Sequence, residues 1–507
     1  MAYTFLTFLF ALDLLFCYAQ CFGNNYWKLR EVIELSRHHN YHKNGQASNR
    51  MPFVSDDDPY VEHYITQPLD HFDASVKNSY KQRYWVNSDY WLQKVGPVFL
   101  YIGGEASLSS LSIMTGEHVD LAKQYKALIL SVEHRYYGLS LNSDSLHLKN
   151  MKYLSSQQAP CNGSVAESEQ TVAGGTVPTS GEYPHLVYAA VASSAPVRAT
   201  VNFEGYNEVV AASLSDPIIN GSTKCALNVK SAFKVVDLKI CNGELKQLAS
   251  DFLSCESLEN TTYGLFQFVS NLADVFMGTV QYNDEKPGVT VTKICDLMTQ
   301  PGDPYDNFKI LNKLFLNLTD QKCADNSWKN AISQIQNTTV TGSPGVGIRQ
   351  WTYQTCAQFG YYQTCDKNTT CLFSHHMSLG PNLDICAIVF NISADEVTMR
   401  TRFTNDYYGS DKPKGTRIMF VNGSVDPWHA LSVVKDLSDT EIAIYIHGTA
   451  HCANMYSDKS TDLPALQKAR LEIANQIGLW LAEASHHENA LLRVSTDNTL
   501  YFRSKEA

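Results

Sequence analysis

The stretch GPVFLYIGGEAS, Gly96 to Ser107, decides the fold class. Val98 to Ile102 is apolar at every position and ends in the pair Gly103-Gly104. A strand with one wet face alternates apolar and polar residues, whereas a strand covered on both faces reads as a continuous apolar run. The same pattern recurs at Ala127 to Val132, Leu186 to Ala192, Arg417 to Val421 and Glu441 to Ile446. Further strands are expected around Tyr64 and over Gln82 to Asn87. After the last strand, Leu466, Ile473, Ile477, Trp480 and Leu481 recur at helical spacing. Buried strands alternating with helices predict an α/β fold with a doubly wound, mostly parallel sheet.

The middle third breaks this rhythm. SAFKVVDLKICNGELKQLASDFL and GLFQFVSNLADVFMG have helical periodicity, so 202–401 reads as a mainly helical insertion. The core is then 61–201 followed by 402–490, with a tail at 491–507 and a polar arm or pro-segment at 20–60. Residues 1–19, MAYTFLTFLFALDLLFCYA, read as a signal peptide cleaved near Ala19. The remaining chain has no run of about 20 clean apolar residues, so no membrane partner is expected.

Two features agree with the secretory pathway, lysosomal, endosomal or extracellular. Of 13 cysteines, 11 lie beyond residue 150 at irregular spacing, which favours disulfides over a metal cluster, although the pairing stays open. Sequons for N-glycosylation occur at Asn162, Asn220, Asn260, Asn317, Asn337, Asn368, Asn391 and Asn422. A net charge of −11 argues against nucleic acid as a partner. No cofactor motif such as GxGxxG is present, no metal is implied by the scattered histidines, and oligomeric state is open.

In open α/β sheets, reacting groups sit on loops past the carboxyl ends of strands. Two late loops carry suitable side chains, Asp426 in NGSVDPWH and His451 in HGTAHC. Acid then histidine is the order of an α/β-hydrolase triad after its serine. Asp426 before Pro427 also reads as an ordinary turn residue, and His451 as a structural loop histidine. His429 competes as the base, but it would share the acid's own loop, which favours His451.

The stretches LDHF (Leu69 to Phe72), QRYWVN, GGEAS, EHRYYGLS (Glu133 to Ser140), YLSSQQA (Tyr153 to Ala159), PHLVYAAVASSAPV (Pro184 to Val197), WTYQTCAQFGYYQTC (Trp351 to Cys365), NGSVDPWH and GTAHC resemble one serine peptidase family. It is the family of lysosomal Pro-Xaa carboxypeptidase, dipeptidyl peptidase II and thymus-specific serine protease, and the resemblance covers most of residues 60–485. It implies an α/β-hydrolase core, a helical cap inserted before the acid, and exopeptidase action on proline-containing peptides. It implies Asp426 as the acid and His451 as the base. It also places Gly103 and Gly104 where backbone N–H groups bind the oxyanion, although a tight turn after the strand remains an equal reading of that pair.

The family's GGSY-x-G elbow should fall between YLSSQQA and PHLVYAAV. Here that interval reads PCNGSVAESEQTVAGGTVPTSGEY, 160–183, and contains no GxSxG. A nucleophile needs a buried strand, a sharp turn between small residues, and a helix. This interval has the composition of a loop, and neither Ser164 nor Ser180 stands in such a setting. The nearest match, Gly138-Leu139-Ser140, belongs to EHRYYGLS. A central strand–elbow–helix unit is therefore expected to be missing, leaving the chain inactive and either poorly folded or with 160–183 as a loose loop. A clean substitution between intact flanks points to an alternative exon or a mis-spliced gene. The competing readings are a non-catalytic, peptide-binding secreted glycoprotein and a hydrolase with a relocated serine.

Overall fold

The structure is a computed structural model and describes residues 7–10, 28–29, 32, 61–93, 95–159, 187–284, 290–340, 347–413 and 415–503. In chain order the strands are β1 (Thr7–Phe10), β2 (His63–Pro68), β3 (Ser79–Asn87), β4 (Val98–Ile102), β5 (Leu128–Val132), β6 (Ala189–Ser193), β7 (Thr200–Asn202), β8 (Gly360–Tyr362), β9 (Ile418–Gly423) and β10 (Glu441–Ile446). Eight of them form one sheet in the order β10-β9-β6-β1-β4-β5-β3-β2, while β7 and β8 pair separately. Only β2–β3 and β3–β5 are antiparallel; the other pairs of the large sheet are parallel. This is the strand plan of an α/β-hydrolase core.

The apolar runs become strands because both sheet faces are covered. Residues of β5, β6 and β9 are buried at every position. Successive side chains point to opposite faces. Phe99, Ile129, Val191 and Met419 therefore pack on one side, against Val119 and Ala122 of helix α1 (Glu117–Tyr125) and Ile473, Ile477 and Trp480 of the C-terminal helix. Val98, Leu100, Leu130 and Ala190 face the other side. Strand β10 is half-exposed along most of its length, as befits an edge.

Between β7 and β9 the chain is mainly helical. Helix α2 (Glu204–Ser215) leads into α3 (Thr223–Cys241), and α4 (Thr262–Gln281) is buried almost all round at the centre of an apolar cluster. Its start is set by Thr261, whose hydroxyl oxygen accepts from the Gly264 N–H at 3.0 Å. Helix α5 (Ala394–Tyr408) begins with a reciprocal Ser393–Glu396 capping box and runs past the expected boundary at 401. Four disulfides staple this half: Cys225–Cys295, Cys255–Cys323, Cys356–Cys386 and Cys365–Cys371. Helix α6 (Pro464–Arg503) continues through position 491, where a tail was expected.

One further expectation changes, at the sequon Asn422. Thr7–Phe10, inside the segment read as a cleavable leader, forms the strand between β4 and β6. Of the sequons, Asn220, Asn260, Asn317, Asn337, Asn368 and Asn391 are exposed. Asn422 is buried on β9 and donates to the Val433 carbonyl at 3.0 Å, which leaves no room for a glycan. Asn162 and the interval 160–183 lie outside the described residues, as does the arm at 20–60 apart from 28–29 and 32. Among the described residues, no helix is long and apolar enough to cross a membrane.

Candidate active site

Strand β9 ends at Gly423, and its loop turns into the 3-10 turn Pro427–Leu431. Asp426 caps that turn: Oδ1 accepts from the Trp428 N–H at 3.0 Å, and Pro427 supplies the preset φ of a first helical residue. The same Oδ1 lies 2.8 Å from Nδ1 of His451, on the loop after β10, and both side chains are fully buried. The turn reading and the acid reading of Asp426 are thus one arrangement. His429 faces elsewhere: its Nδ1 lies 2.7 Å from the Asp426 carbonyl oxygen, and its Nε2 lies 3.4 Å from the Tyr445 hydroxyl.

Gln281, the last residue of α4, ties both loops to the helical half. Its carbonyl accepts from the His451 N–H at 3.1 Å. Its side-chain Oε1 accepts from Trp428 Nε1 at 3.1 Å and from the Tyr206 hydroxyl at 2.7 Å. The Tyr282 ring stands edge-on to the imidazole, with centroids 6.5 Å apart. Sequence reading missed Gln281, because a glutamine ending an apolar helix looks like a solvated terminus.

The end of β6 is tied to the histidine loop as well. Ser194 has a left-handed backbone (φ 56°), and its Oγ accepts from the Cys452 N–H at 2.8 Å. Ser193 Oγ accepts from Asn454 Nδ2 at 2.9 Å, and the same amide lies 3.3 Å from Oε2 of Glu117. The Glu117 carboxyl is fully buried at the start of α1; desolvation raises its pKa to about 8 against the opposing pull of Arg470. Neither serine is followed by a helix as an elbow requires; β7 comes next. These residues escaped notice because ASSAPV has no spacing that marks chemistry.

The expected oxyanion pair divides. The Gly103 N–H donates to the Val132 carbonyl at 2.8 Å, so it extends the β4–β5 ladder and is not free for an oxyanion. Gly104, the next residue, is buried. Its loop is braced by EHRYYGLS. Glu133 accepts from the Leu108 N–H at 2.9 Å, from Arg83 at 2.5 Å, from the Leu139 N–H at 3.0 Å and from the Ser140 hydroxyl at 2.7 Å. Gly138 is required there: its φ is +54° and a Cβ would collide with the Glu133 carboxylate. Ser140 is therefore a buried structural hydroxyl.

The loops after the last two strands of the sheet thus bring a carboxylate and an imidazole into direct contact. Residues 67–164 and 178–473 match the serine carboxypeptidase S28 family, and the chain belongs to that family. It is 37% identical to the thymus-specific serine protease of Mus musculus, over 83% of this chain and 87% of that protein. Identity to the Homo sapiens protein of the same name is 35%, over 84% and 87%. The lysosomal Pro-X carboxypeptidase of Bos taurus is 25% identical, over 84% and 88%.

Proposed function

We propose that this chain is a serine peptidase scaffold of the S28 family that keeps the acid and the base, Asp426 and His451, without a nucleophile elbow. In this reading a complete relative cleaves by acyl transfer. A serine hydroxyl attacks the scissile carbonyl, His451 takes and returns its proton, and Asp426 holds the imidazole in the productive tautomer. Gly104 is the backbone donor left to face the oxyanion. Peptides with proline are the substrate class, by analogy with the Pro-X carboxypeptidases. A secretory or lysosomal location fits the four disulfides. The helical half, 202–401 by sequence and reaching Tyr408 with α5, is the cap over the site.

The observation that carries the reading is the 2.8 Å Asp426–His451 contact in a sheet whose slot between β4 and β6 is filled by Thr7–Phe10. The family match supports it, since it breaks at 165–177, within the interval that lacks GxSxG. A fluorophosphonate probe tests it. We expect no labelled serine in protein of verified mass; labelling mapped to Ser164, Ser180 or Ser194 would overturn the reading. Resequencing the transcript separates an alternative exon from mis-splicing, and an elbow codon run found there restores the full enzyme. The second reading, a peptide-binding pseudoenzyme, is favoured by the intact acid–base loops and cap contacts, and predicts saturable binding of proline peptides without turnover.

A further inference from the structure

The stretch WTYQTCAQFGYYQTC ends on Cys365, and the next residue is Asp366. Cys365–Cys371 closes the loop that carries Asp366, which limits how far its carboxyl can swing. That loop lies against the start of α2. The Phe203 N–H donates to the Tyr362 carbonyl at 2.8 Å, and Asn207 Nδ2 donates to the Thr364 carbonyl at 2.9 Å. Close by, Asn202 meets two acids at once. Its Nδ2 donates to Oε1 of Glu204 at 2.8 Å and to Oδ2 of Asp366 at 2.9 Å, while its Oδ1 accepts from the Thr364 hydroxyl at 2.6 Å. The Thr364 bond fixes which end of the amide faces the acids. The two carboxyls are also hydrogen-bonded to each other, and such a bond needs a proton on one of them. That contact, ahead of partial burial, raises the pKa of Glu204 above its ordinary value.

We propose that Glu204 and Asp366 form a proton-operated clasp between the start of α2 and the loop 365–371, closed when they share a proton and loosened when both are ionised. A lysine facing either carboxyl would stay charged well past neutral pH and hold throughout. Two carboxyls hold each other only while one is neutral. Once both are charged they repel across a single amide, and Asn202 alone keeps them together. Glu208, one turn along α2, adds to the repulsion, and its Oε1 accepts from the Thr370 N–H at 3.4 Å. His375 also touches the loop, with Nδ1 2.7 Å from the Cys365 carbonyl oxygen. Because the folded state holds the proton more tightly, the clasp is complete below the ordinary glutamate range and is lost as pH rises through the raised value. Its release reaches the candidate site. The rings of Phe203 and Tyr206 lie 5.5 and 5.9 Å from that of Trp428, whose N–H donates to Asp426. The clasp is independent of how the nucleophile is read, and its test needs no turnover.

Amide exchange of the full chain at about pH 4.5 and about pH 7, corrected for intrinsic rates, tests this. We expect protection at 202–208 and 364–371 to fall by about threefold on going to the higher pH, the scale of a partly exposed charge pair. In about 0.5 M salt the fall should shrink, because the repulsion is screened. Glu204→Gln and Asp366→Asn each keep a hydrogen bond across the pair without a second charge, so both should be flat over the same range. His375 is present in both variants, so a fall that persists in them does not come from the pair and overturns the clasp. Equal protection at both pH values in the parent overturns it as well. If neither variant folds, the parent decides alone: a fall that high salt leaves unchanged is not charge repulsion and sinks the proposal.

Discussion

The two sides of the β1 slot differ in a way that explains how half an active site can persist. On the β9–β10 side, the two candidate catalytic groups are in contact. Asp426 caps a turn, His451 hangs by its backbone from Gln281, and the two meet at 2.8 Å. On the other side, between β4 and β6, the sheet holds four residues from near the start of the chain. The contrast teaches that the acid–base pair is also a packing unit. Asp426 Oδ1, the His451 N–H and the Gln281 side chain each satisfy a buried neighbour, so the two loops are held without a substrate. An elbow has no such second employment. It is a strained turn whose reason is chemistry.

The largest test of this contrast is to exchange what fills the slot. Replacing 160–183 with the corresponding strand, elbow and helix of the mouse thymus-specific relative should bring turnover of a proline-containing peptide from background upward by about 10⁶-fold, the scale on which a triad serine matters. A graft that folds cooperatively yet turns over nothing would show that the β9–β10 side is not a working acid–base half. The next largest effect concerns that side alone. In the unmodified chain, His451→Ala leaves the buried Asp426 side chain without its imidazole partner, which should cost about 3 kcal/mol. Chemical denaturation measures it. A loss below about 1 kcal/mol would mean that the pair is not the packing unit described above.

Much of this was legible in the sequence, and unevenly so. Val98 to Ile102 and Glu441 to Ile446 were read with their observed limits, because β-prone runs closed by glycine or a polar loop leave few alternatives. Asp426 and His451 were found because a loop after a late strand is where an α/β sheet places chemistry. The connecting groups were not found. Gln281, Ser194, Asn454 and Glu117 act through contacts across at least 75 residues of chain, the shortest being Gln281–Tyr206 and the longest Asn454–Glu117 at 337. No local pattern announces such pairs. Gly103 is open between two readings in the sequence for a simple reason: periodicity ends β4 at Ile102, but the ladder takes one more N–H. Apolar composition such as that of Thr7–Phe10 suits both a signal peptide and a buried strand, so the sequence does not mark β1.

Ser194 joins the two sides directly, from the end of β6 to the histidine loop. Ser194→Ala removes the acceptor of the buried Cys452 N–H and places a Cβ residue without a polar tether at φ 56°. The expected cost is about 1–3 kcal/mol, with amide exchange rising first at residues 451–453. A variant equal in stability to the parent would show that the histidine loop is held by the helical half alone.

The smallest effect is a slope with pH, and it probes the layer beneath both sides. Glu117 sits under Ser193 and Asn454, with Arg470 pulling its pKa down and Asp120 and Asp458 pushing it up. Burial dominates and raises the carboxyl from 4.5 to about 8. Between those values the unfolded chain releases the proton while the folded chain keeps it, so the folded state binds more protons and loses stability as pH rises. The loss reaches at most about 1.4 kcal/mol per pH unit and levels off above the folded pKa. Glu117→Gln keeps an uncharged amide near Asn454 and removes the titration. Its stability relative to the parent should therefore grow steadily from pH 5 to pH 8 and be flat below the unfolded pKa. Denaturation at a series of pH values reads this directly. A constant offset across the window would mean that Glu117 is ionised in the folded protein, held by Arg470, and that the floor shared by the two sides is an ion pair and not a neutral carboxyl.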